Sequence, residues 1–275
     1  MPIRYVVRPS HIRRTPQLIA EGLNATTRRY PGRGPYDPRR DFFLVYPRPG
    51  CLDSGAISEP ARLLSSRRVA QERGSGSTSL SYEELYEFFS SDKARQRISL
   101  AAAGVSTPYT ARSSSVRTNN TVPVGSFITR PLRHSRGQGY RITPDPNDFI
   151  PGQEYIQQLY PKDREYRVIY CYGDPIIVLR KKVAEDTPQE APWNHAAGAR
   201  FQTINDVPNC RLCHTEFFET MDRLPIIKSA HLVAVDVMYS NTLGYSVCEF
   251  NTCPGITIEA NLRKVVSHVA DHCRQ

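Results

Sequence analysis

The sequence contains no uninterrupted apolar run of about eighteen residues or more, so no segment of it reads as a membrane-spanning helix. Its opening, MPIRYVVRPSHIRR, has basic residues but no apolar core followed by a small-residue cleavage site, which argues against a secretory leader. No internal repeat is found, which excludes a repeat array. Cysteine is present but sparse: seven, at 51, 171, 210, 213, 248, 253 and 273. An odd count over so long a chain is not the dense disulfide framework of a small secreted domain, and free thiols in a reducing cytoplasm are expected. Zinc-finger spacing and the aromatic-rich motifs of RNA-binding sheets are also missing. The reading is of a soluble, cytoplasmic protein.

What remains is a chain of 275 residues, 39% of them hydrophobic, enough for a packed core in one or two domains. The net charge of +9 is uneven, because residues 1–75 hold 14 Arg against six acidic residues, a local excess of +8, and the rest is close to neutral. Such a front attracts polyanions. Its arginines are scattered among Pro and Gly, so a solvated surface is favoured over a nucleic-acid partner, which stays open as the alternative.

Residues 3–8 (IRYVVR) read as a strand, 15–25 as a helix and 41–46 (DFFLVY) as a second strand, together a small α/β unit over 1–80 that the turn-rich ERGSGSTSLS joins to the remainder, 81–275. SYEELYEFF and SDKARQRISLAAAG read as successive helices. The first has capping-box spacing; the second is capped by Ser91 or Asp92 and stopped at Gly104. SFITRP and the return through RHSRGQGYRI form a hairpin. EYIQQLY, EYRVIYCY and PIIVLRKK are strands, the last two antiparallel about a turn at Gly173, Asp174 and Pro175. Residues 209–230 are helical in part, HLVAVDVMY and YSVCEFN form a further hairpin about SNTLG, and a last helix begins near Ile258.

Chemistry gathers in the strands. Asp236 lies within VAVDVMY, and Glu249 and Asn251 lie two apart, hence on one face, within CEFNTCPG. A carboxylate flanked by Val, Cys and Phe in a buried strand is costly unless it is paired or metal-bound. Two carboxylates and an amide facing one way make an oxygen-rich site suited to Mg2+ bridging phosphates. In EYRVIYCY, alternation puts Arg167, Ile169 and Cys171 on one face and Val168, Tyr170 and Tyr172 on the other. Thr129-Arg130-Pro131, followed by RHSRGQGY, places a cation beside a loop whose glycines let backbone N–H groups approach a phosphate. CRLCH (210–214) has the spacing of a c-type haem attachment, but without an export signal or a second ligand pair it reads as coincidence.

In this order these segments, from about Asp92 to Ile256, resemble the ATP-grasp superfamily, most closely its RimK-like ribosomal-protein glutamate ligase branch and phage-type relatives. The helix ending in AAAGVSTPYT is similar to the family's "aGip.P.T", the Arg130 stretch to "vvKP…GS.G.Gv", and CEFNTCPG to "vlEvNtsPG". EYIQQLYPKDREYRVIYCYGDPIIVLRKK is similar to "vQefI…diRvfVvg..vv…R". The resemblance implies an α+β ATP-grasp fold, two subdomains clasping ATP, preceded by a short α/β substrate domain. It implies nucleotide contacts from Lys93, Arg130, Ser135, Gly137, Gly139, Gln157, Gln158, Leu159 and Glu165. Metal ligands would be Asp236, Glu249 and Asn251, holding Mg2+ with Mn2+ as an alternative, and Arg167, Lys182 and Asn194 would act on the transferred phosphate, with His195 a weaker candidate beside Asn194. The family more often has Lys where Arg130 stands, a point charge in place of a planar fork. The implied activity is a carboxylate-amine ligase working through an acyl phosphate, with small-molecule or peptide substrates. A nucleotide-binding module without catalysis and a nucleic-acid-directed amino-acid ligase are the alternatives.

Overall fold

The computed structural model describes residues 5–9, 14–30, 42–44, 88, 92–113, 115–118, 121–132, 139–188, 190–191, 193, 198–204, 210–251, 254–256 and 258–272. Apart from Phe88, the expected helix in SYEELYEFF lies outside the described residues, as do Ser135, Gly137, Asn194 and His195.

The chain opens with β1 (Tyr5–Pro9), α1 (Arg14–Gly22), β2 (Thr26–Tyr30) and β3 (Phe42–Leu44), which form a parallel sheet of order β2-β1-β3. The helix stops three residues before the expected Ala25, since Asn24 takes a left-handed φ of 51° and the β-branched pair Thr26-Thr27 then extends. The strand β2 is not among the sequence expectations.

α2 (Lys93–Ala102) starts where Asp92 caps it, the carboxylate accepting from the Arg95 N–H at 2.9 Å. It ends at Gly104, whose φ of +80° suits glycine. β4 (Thr110–Ala111), β5 (Phe127–Pro131), β6 (Arg141–Thr143) and β7 (Glu154–Gln158) form an antiparallel sheet of order β4-β7-β5-β6. β8 (Arg164–Cys171), β9 (Asp174–Lys182), β10 (Arg200–Thr203), β11 (Leu232–Ser240) and β12 (Gly244–Asn251) form the larger antiparallel sheet, order β10-β9-β8-β11-β12. A 3-10 turn over Arg211–His214, α3 (Phe217–Asp222), α4 (Pro225–Ser229) and α5 (Glu259–His272) complete the described elements.

The larger sheet is covered on both faces, and the face division expected for β8 holds for Val168 and Tyr170 against Ile169 and Cys171. Val168, Tyr170, Val233 and Val235 pack with Leu100, Phe217 and Ile227. Ile169, Cys171, Leu179 and Leu232 pack with Val265 and Val269 of α5 and with Ile19 and Ala20 of α1. The front helix therefore shares a core with the last one, and the Ile256 N–H donates to Thr15 Oγ1 at 3.3 Å.

Two local expectations are corrected. The β8–β9 turn is Tyr172-Gly173, with φ of 51° and 95°, and Asp174 and Pro175 already belong to β9. Two left-handed residues match the twist of a tight hairpin better than a turn through proline, whose φ is fixed negative. Tyr172 consequently leaves the alternation, joins the Ile169 side of the sheet and stacks on His272 at 3.9 Å between ring centroids.

Candidate active site

Register builds the site. Arg167 on β8 lies opposite Asp236 on β11, and Asp236 lies opposite Glu249 on β12. Cross-strand partners share a face, so three strands present a row of charge. A bulge between Asp236 and Val237 falls at this row, a place where strands commonly re-aim a side chain. Arg167 grips Asp236 through both carboxylate oxygens, Nε to Oδ1 at 2.6 Å and an Nη to Oδ2 at 2.7 Å. Asn251 Nδ2 donates to Asp236 Oδ2 at 2.7 Å and to Glu249 Oε1 at 3.2 Å. Lys93, in the first turn of α2, is ion-paired with Glu249. Phe201 of β10 lies below, its ring centroid 4.5 Å from the Arg167 guanidinium carbon.

One step along the same face, Glu165 is held between two ammonium groups, Lys162 at 2.5 Å from Oε1 and Lys181 on Oε2. Burial alone would raise the Glu165 carboxyl, but Lys181 and Lys162 outweigh it and lower it below its ordinary value. Burial likewise opposes the charge of Glu249, and Lys93, Arg97 and Arg167 overcome it, holding that carboxyl well below the usual carboxylate range. Both are charged at neutral pH. Lys93, Arg97, Lys162, Arg167 and Lys181 stand against Glu165, Asp236 and Glu249, and this excess of positive charge suits a polyanion.

Arg97 is a residue that sequence reasoning missed. It is 1% exposed, and its guanidinium donates to the Cys248 carbonyl at 2.7 Å, Gln157 Oε1 at 2.6 Å and Tyr155 Oη at 3.3 Å. It thereby ties α2 to β7 of the smaller sheet and to β12 of the larger. Its signal was present in the sequence: Ala94, Arg97 and Leu100 recur at helical spacing on the buried side of α2.

Arg167, Asp236, Glu249, Asn251, Lys93 and Glu165 are brought together. Lys182 is not. Alternation along β9 puts Ile177, Leu179 and Lys181 toward the charged row and Arg180 and Lys182 on the opposite face, where Lys182 is exposed. The ammonium that β9 adds to this row is that of Lys181. On the smaller sheet, Arg130 lies opposite Tyr155 and Gln157 opposite Ile128, so the two share a face. The Gln158 and Leu159 N–H groups are already engaged by the carbonyls of Tyr109 and Ser126, both at 2.8 Å. Gly139 has φ of +67°, and a Cβ there would come within 3.0 Å of Pro131 Cγ, so the position requires glycine.

The donor set fits a hard divalent cation. Asp236 and Glu249 offer carboxylate oxygens and Asn251 a carboxamide that presents Oδ1 in place of Nδ2 by a simple flip. Three protein donors are fewer than the roughly six oxygens such an ion takes, so the remainder would come from a ligand or water. Among the described residues no three His, Cys, Asp or Glu side chains form a metal-binding group. The Cys210–His214 stretch forms no such group, and burial with the neighbouring Cys210 pushes the Cys213 thiol up to about 11, an unreactive value. An open groove of about 610 Å³ near Thr107, Thr215 and Tyr245 lies apart from the charged row and presents hydroxyls rather than its cations.

No family model matches this sequence, and no curated protein matches it. Solved structures do resemble the fold over its whole length. The ATP-grasp ligase PsnB in complex with its minimal precursor has a TM-score of 0.58 at 14% identity, covering 98% of this chain and 99% of that one. The D-cycloserine synthetase DcsG has a TM-score of 0.52 at 14% identity, covering 98% and 99%. The D-alanine–D-alanine ligase of Bacillus anthracis complexed with ATP has a TM-score of 0.50 at 13% identity, covering 98% and 97%. The fold is thus α+β of the ATP-grasp type. No helix among the described residues is long and apolar enough to cross a membrane.

Proposed function

We propose that this protein is an ATP- and Mg2+-dependent carboxylate-amine ligase of the RimK-like kind, acting through an acyl phosphate and releasing ADP and phosphate. The observation that carries the reading is the row Arg167, Asp236, Glu249 and Asn251, with Lys93, Lys181 and Glu165 around it, on the face of the larger sheet that Ile169 and Leu179 share. PsnB, which has this fold, is solved with a precursor variant, Mg and ADP, which supports the same nucleotide and metal here.

Asp236, Glu249 and Asn251 would hold the metal, which when bound supplies charge neutralisation to the phosphates. Arg167 is fixed in orientation by its two-point grip on Asp236 and would stabilise charge on the transferred phosphoryl group. Lys181 and Lys93 would neutralise the remaining phosphate oxygens. The substrate carboxylate is then the nucleophile, so no activated Ser or Cys is needed. The buried arginine Arg97 would keep the two sheets at a fixed separation around the nucleotide, and residues 1–80 would form the substrate domain. A peptide or small-molecule carboxylate and an amine are the substrates. Incubation with pools of amino acids and acidic peptides should yield ADP and phosphate. AMP and pyrophosphate would point to adenylation and overturn the acyl-phosphate route.

A further inference from the structure

Lys162 makes contacts that the proposed reaction does not use. It lies between β7 and β8 and is 7% exposed. Its ammonium donates to Glu165 Oε1 at 2.5 Å and to the Ala191 carbonyl at 3.0 Å, and stands 4.7 Å from the centroid of the Trp193 ring. Trp193, the single tryptophan of the chain, is 8% exposed and donates through Nε1 to the Pro188 carbonyl at 3.2 Å. The other oxygen of Glu165 is taken by Lys181. One carboxylate is therefore shared between an ammonium in the charged row and an ammonium that holds Ala191 and Trp193.

Sharing has an energetic consequence. In a buried setting, two cations on one carboxylate compete for its charge, and drawing one away strengthens its attraction for the other. A polyphosphate seated in the row would compete with Glu165 for Lys181. The charge of Glu165 would then fall to Lys162, whose hold on Ala191 and Trp193 depends on its being fixed there.

We propose that Lys162 is a positioning residue coupling occupancy of the charged row to the anchoring of Ala191 and Trp193, through the carboxylate that it shares with Lys181. The coupling rests on the reading of that row as a nucleotide-phosphate site. By reciprocity, whatever the nucleotide does to the anchoring, the anchoring does to nucleotide affinity.

The single tryptophan makes the coupling measurable. Acrylamide quenching of Trp193 fluorescence in the full chain should fall when a non-hydrolysable ATP analogue binds with Mg2+. Lys162→Met should raise quenching in the free protein, abolish the protection given by the analogue, and weaken analogue binding by about fivefold or more, the lower end of ordinary coupling between sites. Lys162→Arg, which keeps the charge, should restore the protection. Because Lys181 still partners Glu165, Lys162→Met should fold; if it does not, the wild-type measurement alone decides. Analogue binding by calorimetry with unchanged Trp193 quenching overturns the coupling alone. Absence of any binding heat overturns the nucleotide reading and the coupling with it.

Discussion

Two adjacent lysines offer a sharp test of register. Lys181 and Lys182 differ by one position in sequence and by a whole sheet face in the fold. Changing Lys181 to Met removes one of the two ammonium groups on buried Glu165. Breaking a buried ion pair outright costs about 3–5 kcal/mol, and since Lys162 remains, a loss of about 1–3 kcal/mol is expected. Removing one electrostatic group from a reaction centre commonly lowers turnover by about 10²–10³. Lys182→Met removes an exposed charge and should stay within the roughly 0.5 kcal/mol of ordinary surface substitutions. Urea unfolding of each variant reads the first quantity, and nucleotide turnover with a cognate substrate pair reads the second. A Lys182→Met variant that loses turnover while Lys181→Met keeps it would refute the β9 register and everything built on it.

Glu249→Gln keeps shape and removes one charge from the proposed metal site, so the variant should fold and its turnover should fall by orders of magnitude, in line with the several kcal/mol of charge stabilisation a metal supplies; near-wild-type rates would exclude the metal role. Glu165 gives a pH dependence of defined sign. Its carboxyl is lowered on folding from its ordinary 4.5, so its stabilising contribution is complete above about pH 4.5 and is lost as pH falls through the lower folded value. Melting temperature should therefore drop on acidification below about pH 4.5, and Glu165→Gln should flatten that drop; an unchanged acid limb would contradict the buried pairing.

The hairpins β8–β9 and β11–β12 were legible because their strands are long, β-branched and separated by short turns. The cap at Asp92 and the stop at Gly104 were legible because each has a local chemical cause. The carboxylates Asp236 and Glu249 stood out as charges within apolar strands. The phase of β9 was not legible. Both faces of the larger sheet are buried, so Ile177 and Leu179 on one side and Val178 on the other give no amphipathic signal, and only pairing with β8 selects Lys181. The strand β2 was missed since its TTRRY carries two arginines and no apolar run, and its place is set by parallel pairing with β1. Arg97 was passed over because a charged residue in a capped helix is ordinarily a surface residue, and its burial depends on Gln157 and Cys248, more than fifty residues away in sequence.

Uptake of a nucleotide together with a divalent ion by the charged row is the property on which the ligase activity depends. Titration calorimetry of the full chain with a non-hydrolysable ATP analogue, at millimolar Mg2+ and again with the metal chelated, tests this directly. Saturable binding that requires Mg2+ and is lost in Glu249→Gln is the predicted result. No binding at millimolar Mg2+, or binding indifferent both to the metal and to Glu249, would contradict it.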